Sequence, residues 1–244
     1  MVSLSWQRCR AILGASLPNR CLLCHQTIAA PHRGVCPTCV ANSIYQSEVC
    51  LGCGKPLTIA AEYCGSCLHH RPIKVVAPAS YHSMLGPLIP AIKYQAQFAA
   101  LPALTAALVA RIQHLVAAEL LELPQVVLPV PLHRQRLAHR GYNQAWLIAN
   151  TLAAQLQLPL DDKLLARTSN TPAQAQLTGK QRRQNLSGAF ALTRASPYQR
   201  IALVDDVVTT GSTVNEIARL LRTSAPSIQV WCLARAEAPK IATL

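Results

Sequence analysis

Residues 201–214 read IALVDDVVTTGSTV. The four apolar residues Ile201 to Val204 have the length and content of a buried strand, and the carboxylates Asp205 and Asp206 follow at once. The chain holds only 10 Asp and Glu against 23 Lys and Arg, so two acids side by side at the end of a strand call for a chemical reason. In an open parallel sheet, ligands bind beyond the carboxyl ends of the strands, where loops feed helix N-termini. The next residues supply what such a place needs. Gly211 lets backbone approach closely, Thr209, Thr210, Ser212 and Thr213 offer hydroxyls, and the first turn of a following helix offers unpaired N–H groups. A phosphate suits that cradle. Asp205 and Asp206 can accept hydrogen bonds from two adjacent hydroxyls of a ribose, so a ribose 5-phosphate satisfies both halves of the stretch. The plainer alternative, a surface turn that caps a helix, has no use for a second acid.

Outward from this stretch, apolar runs and helical periodicities alternate. Val126 to Pro131, VVLPVP, suits a short buried parallel strand and is followed by a basic loop. Ala145, Ile148, Ala149, Leu152 and Leu156 repeat at helical spacing and predict a helix over 142–157. Leu164 to Ala166 suits a further strand, and the polar stretch from Arg167 to Gly188 has no apolar periodicity. A loop of that length inside a compact domain is functional or disordered. Val214, Ile217, Ala218 and Leu221 mark the buried face of a helix after the opening stretch, and Ile228 to Ala234, IQVWCLA, closes as a strand. Upstream, residues 75–85 read as extended and Leu88 to Leu120 as one or two helices interrupted near Pro102. Strands and helices in this order predict an α/β fold, a parallel sheet with crossover helices, over residues 73–244.

Before residue 73 the pattern is different. Eight of the 10 cysteines form four C-x-x-C pairs, Cys21/Cys24, Cys36/Cys39, Cys50/Cys53 and Cys64/Cys67, separated by 11, 10 and 10 residues. Two residues between cysteines form a knuckle that aims both sulfurs at one ion, and tetrahedral zinc needs two knuckles. The eight therefore make two zinc sites. Pairing neighbours puts Cys21, Cys24, Cys36 and Cys39 on one ion and Cys50, Cys53, Cys64 and Cys67 on the other; a cross-braced arrangement, first with third and second with fourth, is the alternative. A redox C-x-x-C occurs singly, and disulfides require an oxidising compartment that nothing in the chain indicates. His25, His69 and His70 are not needed where all-cysteine sets are complete. Cys9 and Cys232 are left over, and Cys232 sits in an apolar alternation as a small core residue. Residues 19–72 carry few large apolar side chains, so zinc would supply their folding free energy, and chelation is expected to unfold this module and spare the rest.

A hydrophobic content of 51% with 14% charged residues describes a chain with a real core, and the formal net charge of +13 points to a polyanionic partner. The bases are concentrated: between Leu123 and Val204 the only acids are Asp161 and Asp162, against ten Lys and Arg from Arg134 to Arg200. A solvated basic face is the bland alternative. Residues 1–18 carry arginines where a signal peptide needs an apolar run, and Trp6, Ile12, Leu13 and Leu17 could line a short docking helix. The apolar stretch from Ala99 to Leu121 is interrupted by Arg111, His114 and Glu119 and reads as too short for a bilayer span. The expectation is a cytoplasmic protein without a transmembrane segment.

Positions 201–213 resemble the signature of the type I phosphoribosyltransferases, an apolar strand, two acids and a Thr/Gly-rich turn. A narrower resemblance runs along nearly the whole chain: the C-x-x-C knuckles, Tyr81 and Lys93, Pro129 to Arg136, Arg140 to Gln144, then Gln174, Leu177, Arg182, Asn185 and Phe190 are similar in order to the ComF/GntX family, linked to competence and the use of external DNA. The resemblance implies that the cleft takes phosphoribosyl pyrophosphate with Mg2+, Asp205 and Asp206 holding the ribose hydroxyls and Val208, Thr209, Thr210, Gly211, Ser212 and Thr213 wrapping the 5-phosphate. It assigns Val130, Pro131, Leu132, His133 and Arg134 to the pyrophosphate, often through an unusual peptide geometry, with Arg140 and Asn143 flanking. The long polar loop corresponds to a mobile flap bringing Arg182, with Lys180 or Arg183, to the diphosphate, so the catalytic set is Asp205, Asp206 and Arg182. Magnesium would neutralise the leaving pyrophosphate. Two functions follow. One is a protein that binds phosphoribosyl pyrophosphate and single-stranded DNA in DNA uptake, partnered with uptake machinery at the inner face of the membrane, its basic loops at 133–140 and 180–183 tracking phosphates and Tyr142 or Trp146 stacking on bases. The other is a catalytically active salvage or biosynthetic phosphoribosyltransferase with a structural zinc module. A redox or metal-storage role would leave Asp205 to Thr213 unexplained.

Overall fold

A computed structural model describes residues 19–169, 188–222 and 227–236. Strands β1 (Lys74–Val76), β2 (Val126–Pro129), β5 (Arg200–Val208) and β6 (Ser227–Arg235) form a four-stranded, all-parallel sheet in the order β1-β6-β5-β2. The opening stretch is thus a central strand, and its alternation sorts side chains to two covered faces. Ala202 and Val204 join one core with helices α3 (Leu88–Gln95), α4 (Leu101–Ala117) and α6 (Gln144–Leu156). Ile201 and Leu203 join the other with α7 (Ser212–Leu221). Strands β3 (Leu165–Arg167) and β4 (Phe190–Leu192) pair antiparallel as a separate ribbon, so the run at Leu164 lies outside the parallel sheet.

Register explains where the acids go. β2 ends opposite β5 at Pro129 and Val204, whereas β5 and β6 continue together to Val208 and Arg235. Asp205 and Asp206 therefore sit on a strand that outruns its neighbour on one side, within the strand instead of just after it, and the space beyond β2 is open to them.

Two local expectations need correction. The helical break comes before Pro102, at Ala96, which ends α3 in the left-handed conformation; a 3-10 turn, Phe98–Ala100, leads on, and Pro102 sits in the first turn of α4, where a missing N–H costs nothing. The basic loop after β2 is a helix, α5 (Arg134–Arg140), capped by the His133 ring at its start and by Gly141 in the left-handed region at its end. Phe98–Ala117 is long and apolar enough to cross a bilayer by length and composition, contrary to the expectation drawn from its interrupting Arg111 and His114. Its Leu104, Leu108 and Ile112 are wholly buried in the core, and Arg111 and His114 both pair with Glu48, at 2.8 Å each.

The cysteine-rich segment, with its short helices α1 (Pro37–Ala41) and α2 (Gly65–Leu68), shares the core of the sheet. Cys21, Ile28, Val35, Cys39 and Leu51 belong to the same buried cluster as α4 and Trp231 of β6. Gly34, with φ of 73°, lies so close to the 3-10 turn that a Cβ there would come within 1.8 Å of the Ala99 carbonyl oxygen.

Candidate functional site

The overhang of β5, the turn after it and the start of α7 form the floor of a cleft of about 530 Å³. Each acid binds the next backbone group: the Asp206 N–H donates to Asp205 Oδ1 at 2.9 Å and the Val207 N–H to Asp206 Oδ1 at 3.0 Å. Asp206 is only 2% exposed. Its Oδ2 lies 3.0 Å from Lys93 Nζ on α3, at an angle that leaves the oxygen without a well-formed hydrogen bond. Burial and the adjacent Asp206 charge hold the Asp205 carboxyl well above the ordinary carboxylate range, against the pull of Lys93. For Lys93, burial works to discharge the ammonium, but Asp206 and Asp205 outweigh it and keep the group above its usual value. The pair of acids thus carries one internal cation, with room beside it for a ligand's hydroxyls or cation.

Past the acids, Gly211 takes φ of 69° and begins α7 with no side-chain cap, leaving first-turn N–H groups available to an anion. Thr210 Oγ1 and Ser212 Oγ are 2.8 Å apart across the turn. The opposite wall starts where the Val130 N–H donates to the Val204 carbonyl at 2.9 Å. Asn143 fastens it: its Nδ2 donates to the Val130 carbonyl at 3.1 Å while its Oδ1 caps α6 through the Ala145 N–H. Arg140 donates to Gln144 Oε1 at 2.7 Å and stands over the Tyr94 ring, 5.5 Å from its centre.

Val130, Pro131, Leu132, Arg140, Asn143, Asp205, Asp206 and Val208 to Thr213 all border this one cleft. His133 and Arg134 do not: His133 Nδ1 accepts from the Gln135 N–H to start α5, and it is Gln135, Arg136 and His139 of that helix that face the cleft. Among the described residues the stretch 130–134 has neither a cis peptide bond nor a positive φ. Lys180, Arg182 and Arg183 lie outside the described residues. Lys93, Tyr94 and Arg167 also line the cleft without having been assigned a role from sequence; Lys93 carried a signal, since it falls among the residues that carry the family resemblance. Burial and nearby Arg136 pull the Arg167 guanidinium down to about 10. Tyr142, a sequence candidate for stacking, is spent structurally: its hydroxyl donates to the Ile92 carbonyl at 2.6 Å and accepts from the Ala96 N–H, closing the end of α3. Trp146 donates to Asp162 Oδ2 at 2.9 Å, away from the cleft.

The cysteines gather by adjacency. The four sulfurs of Cys21, Cys24, Cys36 and Cys39 lie within 4.8 Å of one another, as do those of Cys50, Cys53, Cys64 and Cys67. Cys24 and Cys36 sulfurs are 3.8 Å apart and Cys53 and Cys64 3.6 Å, near the roughly 3.8 Å edge of a tetrahedron with zinc–sulfur bonds of about 2.3 Å. Backbone N–H groups point at the sulfurs, Cys36 at Cys21 and Cys64 at Cys50, as thiolates require. Burial and its sulfur neighbours push the Cys39 thiol up to about 12, so a full set of thiolates needs a cation among them. The donor sets fit structural zinc. Arg235, buried at the end of β6, joins the second cluster to the sheet: Nη1 donates to the Leu51 carbonyl at 3.0 Å and Nη2 to the Gly52 carbonyl, between Cys50 and Cys53. Its neighbour Ala236 donates to the Val208 carbonyl at 2.9 Å. Cys232 is fully buried in the sheet core, as its apolar setting predicted.

A parallel sheet with paired acids before a phosphate-type turn, and two four-cysteine sites ahead of it, define a phosphoribosyltransferase-type domain carrying a double zinc ribbon. Residues 12–68 match the double zinc ribbon domain and residues 143–242 the phosphoribosyl transferase domain. The chain is 40% identical over 223 residues to competence protein F of Haemophilus influenzae, covering 89% of this chain and 97% of that protein. It is 36% identical to the DNA utilization protein YhgH of Escherichia coli and 34% to that of Salmonella typhimurium, each over 90% of this chain and 98% of the relative. The chain belongs to the family of competence protein F and the DNA utilization protein YhgH.

Proposed function

We propose that the protein binds phosphoribosyl pyrophosphate with Mg2+ in the β5–α7 cleft, engages single-stranded DNA, and acts in the cytoplasm, at the inner face of the membrane, in the uptake or use of external DNA. The observation that carries the reading is the joining, in one cleft, of a buried acid pair with an uncapped helix start: Asp206 Oδ2 lacks a well-formed hydrogen bond while the turn from Val208 to Thr213 offers donors a few residues on. Asp205 and Asp206 would accept from the ribose hydroxyls and the turn would take the 5-phosphate. Val130 to Leu132, Arg136 and Arg140 face the place left for the diphosphate. Hard carboxylate oxygens suit Mg2+, which when bound with the diphosphate neutralises charge on the leaving group. Arg182 completes the catalytic set from outside the described residues. The relatives' names, competence and DNA utilization, support the nucleic-acid half, as does the net charge of +13.

Calorimetric titration of phosphoribosyl pyrophosphate with Mg2+ into wild type and Asp205→Asn/Asp206→Asn, with and without a single-stranded oligonucleotide, tests the reading. Loss of the two carboxyl groups as acceptors should weaken donor binding by about tenfold or more. Equal affinity in the two proteins overturns the assignment of the cleft. Release of pyrophosphate with one specific base or amine would instead identify an active salvage or biosynthetic transferase.

A further inference from the structure

Helix α5 is hard to account for by packing. Its seven residues, RQRLAHR, bury no side chain, and Leu137 is 42% exposed. Helices this short are not stable alone and normally hold through an apolar face. This one is fixed by its two caps and displays Arg134, Arg136, His139 and Arg140 with no acid among them. Arg136, His139 and Arg140, at helical spacing, face the cleft. Across the mouth stands Tyr94, 64% exposed, with the Arg140 guanidinium over its ring. Tyr94 is held in place from both sides in sequence: Lys93 pairs with Asp206, and Tyr142 closes the helix end at Ile92 and Ala96.

We propose that α5 and Tyr94 form a landing surface for single-stranded nucleic acid at the mouth of the cleft, a base stacking on Tyr94 and the backbone phosphates running along the basic face of α5. The inference rests on the nucleic-acid half of the function proposed above and names its surface. An aromatic ring backed by a guanidinium offers a π-face to any base. A base inside a duplex has no free face to offer, so the surface favours single strands. The strand passes directly over the acid pair and the anion turn, so donor and strand share one mouth.

The test is fluorescence anisotropy of a labelled oligothymidine with the full chain, against a duplex of the same length, at several salt concentrations. Wild type should bind the strand more tightly than the duplex. Tyr94→Ala should weaken strand binding about 5- to 100-fold, Tyr94→Phe should restore it, and Arg136→Gln should lower the slope of affinity against salt by about 0.7. Strand binding by wild type that neither set of changes affects overturns the surface and leaves the proposed function standing. Absence of strand binding by wild type overturns the surface and the nucleic-acid half together, while the calorimetric titration of the donor judges the cleft separately.

Discussion

Asp205 holds its proton up to about 8 in the folded chain, through burial first and the neighbouring Asp206 charge second. An unfolded chain loses that proton near 4. Between those values the folded state binds the extra proton, so Asp205 makes stability fall as pH rises through this window. Asp205→Asn removes the effect. Its melting temperature should match wild type near pH 4 and exceed it by about 2–4 °C at pH 8.5, taking about 1 kcal/mol after screening. Parallel melting curves across pH 5–9 would show that the acid pair is not enclosed. The acids and their turn were legible in the sequence because the chemistry is consecutive along the chain. Lys93 was visible only as part of the family resemblance; its ion pair with Asp206, 113 positions downstream, was not, because it depends on how α3 crosses the end of β5.

Elements tell the same story at a larger size. The strands β5 and β6 and the helix over 144–156 follow from apolar periodicity, which is local. Helix α5 was read as a loop because it has no apolar face to betray it; its signals are a capping ring and Gly141. The β3–β4 ribbon escaped because three-residue strands carry too little pattern to show their pairing. The contacts of α4 and the 3-10 turn before it with the cysteine-rich segment make two predictions. Hydrogen bonds from Arg111, with help from His114, hold Glu48 below the usual carboxylate range, so it stabilises the fold above about pH 4.5 and ceases to as pH falls through its depressed value. Glu48→Gln should therefore lower stability by about 1 kcal/mol at pH 7, with thermal melts of variant and wild type converging in acid. Gly34→Ala should be far worse, since both its left-handed backbone and the Ala99 carbonyl exclude a Cβ. A loss of about 3 kcal/mol or more is expected by denaturant titration, and a native-like midpoint would mean that the 3-10 turn yields.

For the whole molecule, cysteine spacing predicted two metal sites, but not that they would share a core with the sheet. Spacing reports which sulfurs meet, and says nothing of what the knuckles lean on. With Cys21, Cys39 and Leu51 in one buried cluster with α4 and Trp231, metal removal should not stop at the cysteine-rich segment, as the sequence alone implied. Chelation should lower the melting temperature of the entire chain, and an unchanged transition for the remainder, followed by near-ultraviolet dichroism of Trp231, would restore the independent-module picture. Arg235 adds a sharper consequence. Filled with a divalent ion, four thiolates carry two net negative charges beside this buried guanidinium, and emptying the site leaves the cation without that compensation. The strand end that Arg235 anchors is hydrogen-bonded through Ala236 to Val208, where the turn proposed to take the 5-phosphate begins. On the function proposed above, a cell short of zinc would then hold a protein still assembled yet slack in its grip on sugar phosphates, so that metal supply would act as a licence for ligand capture.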